Sequence, residues 1–200
     1  MVNQITFKQY RTIDILILVA LTIVFETITT QATAKWFALQ PVALSIGLAM
    51  VCVAMLRWGW QAAFLAFAGG LAFCVVSGGT LQQYVIYCIG NMFALLAMVW
   101  FKAFGKEGVR GSIAKILLFA VTAYAGTVLG RGIFSMAFGD AWGAFVIHAT
   151  TDIMTLVFAV LVLLLFRKTD GMLEDQKTYL LRLEEERIKT QDEPVHDEYE

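Results

Sequence analysis

The sequence predicts an all-α integral membrane protein, a six-transmembrane-helix bundle with both termini cytoplasmic and a C-terminal cytoplasmic helical extension. Three observations predict it. Hydrophobic residues make up 59% of the 200 residues and charged residues only 16%, where a soluble domain carries about 25% charged; the mean hydropathy is +0.71. The apolar residues gather into runs long enough for a hydrocarbon core of about 30 Å. Lys and Arg fall almost entirely on one side of those runs, which sets orientation by the positive-inside rule.

Residues 1–12 form a cytoplasmic N-terminal segment. Lys8 and Arg11 precede a long apolar run with no small-residue cleavage site after a short core, so the run reads as a membrane span and not a cleaved signal. The membrane domain occupies residues 13–166, with spans at Ile13–Ala34, Pro41–Leu56, Trp58–Val76, Leu81–Phe104, Ser112–Phe138 and Ala141–Phe166. The second and third are short and separated only around Arg57, which predicts a tight helical hairpin. Lys8, Arg11, Arg57, Lys102, Lys106, Arg110, Lys115, Arg167 and Lys168 share the inner side, against Lys35 and Arg131 on the outer side. The outer loops are then Lys35–Gln40, Ser77–Thr80 and Gly139–Asp140. Residues 167–200 form a charged cytoplasmic tail, helix-prone to about Thr190 with a partial apolar stripe of Met172, Tyr179, Leu180, Leu183 and Ile188. It is expected to prolong the sixth helix and fray after Asp192.

Polar groups inside the spans cost several kcal/mol in hydrocarbon and mark functional positions. They are Glu26, Asn91, Arg131, Asp140, His148 and Asp152. With a rise of about 1.5 Å per residue, nearly all fall toward the outer side. Glu26 lies in the outer half of the first span and Arg131 near the outer end of the fifth. His148 and Asp152 share one face of the sixth. Gln82, Gln83, Tyr84 and Tyr87 line the outer start of the fourth span, with Asn91 near mid-membrane. Trp36, Phe37 and Gln40 come from the first outer loop. Together they describe a pocket with aromatic walls and convergent polar groups, open outward. The competing structural roles are ion pairing of Glu26 with Arg131, hydrogen bonding of His148 to Asp152, capping of the sixth helix by Asp140, and interfacial placement of the tryptophans.

Several classes are excluded. The GxxxxGK[ST] phosphate loop is absent, as are HExxH and any metal-ligand cluster, so the chain carries no nucleotide engine, cofactor or metal. Cys52, Cys74 and Cys88 lie in apolar runs as packing thiols. Nothing points to nucleic acid. Small residues recur every fourth position at Ala62, Ala66 and Gly70, and at Gly126 and Gly130, a spacing that lets helix backbones approach closely.

Six spans in about 200 residues, both termini inside, an outward aromatic and polar pocket and no ATPase resemble the substrate-binding S component of energy-coupling factor (ECF) transporters. The resemblance covers about Arg11 to Phe166. The family typically docks on its transmembrane coupling protein through AxxxA on the first helix; here Ala20 is followed by Val24, so the row Ala62, Ala66, Gly70 stands as a second docking candidate. The resemblance implies a vitamin ligand between the outer loops and the fourth to sixth helices, held by Trp36, Phe37, Gln82, Tyr84, Tyr87, Asn91, Arg131, Phe134, Trp142 and His148. Among S components the chain looks most like the cobalamin type of lactobacilli, with riboflavin, folate and a queuosine precursor as the other ligands. It implies a non-enzymatic subunit of a bacterial plasma membrane that topples on a coupling protein driven by two cytoplasmic ATPases. The alternatives are a proton-coupled secondary transporter using Glu26, His148 and Asp152, and an intramembrane CAAX-type protease. The protease would need a Glu-Glu pair inside the membrane, and the only one lies in the tail at Glu184-Glu185-Glu186.

Overall fold

The computed structural model describes residues 6–36, 43–169 and 171–192. Among them there is no strand; every regular element is helical. α1 is Phe7–Trp36, α2 Gly47–Trp58 and α3 Ala63–Ser77, with a 3-10 turn at Gly59–Ala62 between the last two. A helical rod, α4, runs Leu81–Gly111. α5 is Ile113–Ala137, α6 Gly143–Thr151, α7 Ile153–Phe166 and α8 Gln176–Asp192. Four helical runs are long and apolar enough to cross a membrane: Phe7–Trp36, Gly47–Ser77, Leu81–Gly111 and Ile113–Ala137. The bent pair α6–α7 makes five if it counts as one span.

The run Gly47–Ser77 is a folded-back pair, as the hairpin expectation required. Gly59 takes φ 70, a left-handed conformation that glycine adopts without steric cost. The chain reverses there and brings Gly47 beside Gly69, where an added Cβ would lie 3.7 Å from the Gly47 Cα. The helical part of α2 starts at Gly47 and not at Pro41, because Ala43 and Ser45 are committed elsewhere, as described below. The core fills the middle of this hairpin: Cys52, Met55, Leu56 and Leu65 are fully buried beside Phe119 of α5 and Leu163 of α7.

α1 inverts the soluble pattern. Its buried residues are Thr22, Glu26 and Thr30, one polar stripe at four-residue spacing, while Leu16, Ile17, Val24 and Ile28 are exposed. That is the arrangement expected where the surroundings are hydrocarbon and the protein interior holds the polar groups.

α4 is irregular at its centre. It passes from α geometry through a π turn at Val85–Ile89 and a 3-10 stretch at Asn91–Met98, then kinks at Gly105 with φ 69. Such mid-helix departures recur at functional positions. The centre packs against α5 backbone to backbone. An added Cβ on Gly126 would collide with the Phe93 carbonyl, one on Gly130 with the Gly90 carbonyl, and one on Gly90 would sit 2.8 Å from the Arg131 nitrogen. The expected sixth span does not run straight either: it bends by 45° between α6 and α7 at Asp152.

The tail departs from expectation. α7 ends at Phe166, and the segment 171–176 folds back onto the basic end of the bundle. Leu173 is 1% exposed, and Glu174 and Gln176 are buried with it. Arg57 donates to the carbonyls of Gly171 and Met172 at 3.0 and 3.2 Å while chelating Asp14 at 2.8–3.1 Å. Arg110 pairs with Glu174 at 2.6 Å and Lys106 pairs with Asp175. Tyr10 donates to Gln176 at 3.3 Å. The charged tail is therefore a clasp across α1, α2 and α4.

Two outcomes follow. Leu173→Asp places a carboxylate among buried groups that already hold Glu174, and should lower stability by about 2–4 kcal/mol, read as a fall in the thermal midpoint in detergent. Gly130→Ala drives a methyl into the Gly90 carbonyl, where backbone must move. It should cost about 1–3 kcal/mol, whereas Gly111→Ala, with open space around it, should leave the midpoint within about a degree.

Candidate functional site

Five of the six polar residues of the spans, all but Asp140, converge on one cavity of about 370 Å³ at the end of the bundle opposite the clasp. Glu26 and Thr30 enter from α1, Tyr87 and Asn91 from α4, Arg131 from α5, and His148 and Asp152 from the α6–α7 bend. The irregular centre of α4 carries Tyr87 and Asn91, and the glycine contact between α4 and α5 sets Asn91 beside Arg131.

Arg131 is the hub. Its Nε donates to Asn91 Oδ1 at 2.7 Å, its terminal nitrogen pairs with Asp152, and its guanidinium carbon lies 4.7 Å over the Tyr87 ring. A buried guanidinium with a carboxylate, an amide and an aromatic face around it is neutralised and fixed in orientation. The Glu26–Arg131 pairing weighed from sequence is not what forms; Asp152 takes the arginine. Glu26 instead accepts on Oε2 from the Ser45 hydroxyl at 2.8 Å and the Gly47 N–H at 2.9 Å.

The bend at Asp152 leaves backbone groups without helix partners, and residues 43–45 satisfy them. The Ala43 N–H donates to the Thr151 carbonyl at 2.9 Å, and the Ser45 N–H donates to the Thr155 hydroxyl at 3.0 Å. The Tyr124 hydroxyl donates to the Ala149 carbonyl. In a membrane such groups must be satisfied within the protein, so the extended segment before α2 and the broken helix are one unit. His148 does not bond the Asp152 carboxylate. Its Nε2 lies 3.3 Å from the Ser135 hydroxyl, and Tyr87 meets its ring edge-on at 6.0 Å. Tyr87 and His148 also line a second cavity of about 320 Å³, together with Gln83, Ser135 and Asp140. They form a partition between the two.

Comparison with protein-family models, curated proteins and solved structures finds no match to this chain. The site therefore stands on its own geometry.

Of the residues expected to bind ligand, Tyr87, Asn91, Arg131 and His148 line the main cavity. Trp36 and Trp142 are 80% and 76% exposed, which fits an interfacial role; Trp142 stacks on Phe145. Gln82 is exposed, and Tyr84 borders neither cavity. Phe134 packs edge-on against Phe93. Phe37 and Gln40 lie outside the described residues. Asp140 is exposed and makes no capping bond; Trp142 holds the capping position of α6. Thr80 and Gln83 form a reciprocal cap at the start of α4, at 2.8 and 3.4 Å. Of the docking candidates, Ala20 is exposed on α1, whereas Ala62, Ala66 and Gly70 are buried. Gly70 lies against the Tyr87 carbonyl, so that row packs α3 on α4 and presents no surface. Sequence reading missed Thr30, Ser45 and Phe73 as cavity residues. Thr30 follows Glu26 by one helical turn, a spacing visible in the sequence.

Arg131→Ala strands the buried Asp152 carboxylate and should destabilise the protein by about 3–5 kcal/mol. The double variant Arg131→Met/Asp152→Leu removes both charges and should recover most of that loss. A thermal denaturation series on the three proteins reads the difference; equal loss in single and double variants would sink the pairing account.

Proposed function

We propose that this chain is the membrane-embedded substrate-binding component of a transporter of the energy-coupling factor type. In this reading the bundle makes six crossings, the hairpin arms α2 and α3 each providing one, with the clasp and both termini in the cytoplasm of a bacterium. The cavity faces outward, binds a vitamin-sized molecule, and delivers it when the bundle topples on a coupling protein driven by two ATPases. The observation that carries the reading is the polar cavity of about 370 Å³ at the end of an apolar bundle opposite the basic clasp. It is a binding cavity with an immobilised arginine at its floor. The volume is at the low end of the range for small-molecule pockets, about 300–1,000 Å³, and so favours the smaller of the expected ligands over cobalamin. Docking falls to the exposed face of α1 around Ala20 and Val24, since Ala62, Ala66 and Gly70 are inside.

The reading is non-enzymatic. Ser135 and His148 do meet at 3.3 Å, but Ser135 lies inside α5, where backbone N–H groups are committed to the helix and offer no oxyanion site. A proton-coupled secondary transporter is the second reading, favoured by Glu26, His148 and Asp152 lining one cavity.

The test is affinity purification from the native membrane followed by reconstitution. The expected result is co-purification of an ATPase-bearing complex and substrate uptake that stops when ATP is withheld. Uptake by the chain alone, driven by a proton gradient, would favour the second reading. His148→Ala should weaken retention of the bound small molecule by about tenfold or more, since it removes a group from the cavity wall; affinity within about twofold would place the ligand elsewhere.

A further inference from the structure

We propose that the cavity selects a small organic cation, and that Glu26 and Thr30 on α1 receive its charged N–H group. The proposal names the ligand class for the transport reading above and rests on that reading for its biological setting only. Charge is the first ground. Among the described residues the cavity is lined by two carboxyl side chains, Glu26 and Asp152, and one arginine. Arg131 gives its Nε to Asn91 and one terminal nitrogen to Asp152 and lies over the Tyr87 face, so its charge is already balanced by a carboxylate and only its second terminal nitrogen is without a hydrogen bond among the described residues. Glu26 has no ion-pair partner among the described residues, although it is only 2% exposed. A carboxylate in a membrane interior is costly until a counter-charge joins it, and a cationic ligand supplies one.

Geometry is the second ground. The Ser45 and Gly47 hydrogen bonds both fall on Oε2 of Glu26, which holds the carboxyl group and leaves Oε1 for a ligand. Four residues on, Thr30 is 9% exposed and lines the same cavity. Its Oγ1 is the buried side-chain polar atom with no hydrogen-bond partner among the described residues. Buried hydroxyls are almost always satisfied, so an orphan on the cavity wall one turn from a carboxylate marks a place where a donor belongs. An ammonium, amidinium or protonated ring nitrogen bridging Glu26 Oε1 and Thr30 Oγ1 satisfies both. Phe73 and Tyr87, with ring centroids 4.6 Å apart and planes tilted by 44°, both line the cavity and offer an aromatic wall for the ring that carries the charge. Among the described residues an anion would meet two carboxyl groups and one arginine already paired with Asp152.

The experiment uses the purified full chain in lipid nanodiscs and three probes of one ring and nearly one volume: benzamidine, benzamide and benzoate, read by calorimetry and thermal shift. The expected result is affinity for benzamidine at least about tenfold above benzamide, with benzoate weakest. Glu26→Gln should erase that preference. Thr30→Val, which removes the hydroxyl without breaking a hydrogen bond seen in the structure, should reduce it severalfold, and it serves in place of Glu26→Gln if that variant fails to fold. Benzoate binding as well as benzamidine, no discrimination among the three, or a preference unchanged in both variants overturns the proposal. If the cation preference holds but no ATPase complex co-purifies, the transport reading fails and the ligand class stands. If the complex co-purifies and the preference runs to benzoate, the reverse is true.

Discussion

The contact between the backbones of α4 and α5 governs the rest of this structure. Three glycines, Gly90, Gly126 and Gly130, bring the two helices so close that backbone atoms of the facing helix occupy the space where side chains would stand. That approach puts Arg131 directly against the turn that carries Asn91 and Tyr87. From there the arrangement propagates. Arg131, fixed on one side by Asn91 and Tyr87, reaches Asp152 on the other, and Asp152 is the residue at which the last membrane segment breaks. The break exposes backbone groups that hydrocarbon would not tolerate; residues 43–45 cover them and bring Ser45 and Gly47 to Glu26. α1, α2, α4, α5 and the broken pair α6–α7 are thus linked in one run of polar contacts that starts at Arg131.

A chain of polar contacts of this kind is a specificity device more than a source of stability. A buried ion pair gains little over a well-packed apolar pair, yet it is badly destabilised by the loss of one member. The apolar half of the bundle, around Met55, Leu65, Phe119 and Leu163, can be packed in many similar ways. In the polar half, the buried side-chain polar atoms of the described residues find hydrogen-bond partners, apart from the Thr30 hydroxyl.

The helical class, the hairpin at Arg57 and Gly59, and the convergence of Glu26, Asn91, Arg131, His148 and Asp152 were legible from the sequence, because each follows from local hydropathy and helical rise. Which carboxylate would hold Arg131 was not. Glu26 and Asp152 both line the cavity with Arg131, and choosing between them requires the bend at Asp152, which no periodicity reports. The Thr150-Thr151-Asp152 run does carry a hint, since these residues weaken a helix by competing for its backbone. The aromatic residues misled in a consistent way. Trp36 and Trp142 share composition with a binding wall and with an interfacial belt, and only their exposure separates the two. The small-residue row Ala62, Ala66, Gly70 failed for the related reason that close packing inside a protein and docking outside it have the same spacing. The tail was read as a solvated extension because its charges were counted and not paired; Glu174 and Asp175 match the basic residues they meet on α4.

The clasp has a consequence for how the molecule is made. Residues 171–176 emerge from the ribosome after every apolar segment of the bundle. Lys106 and Arg110 are therefore without their carboxylate partners until then, and Arg57 holds Asp14 alone. Only afterwards does the acidic segment arrive and cover them.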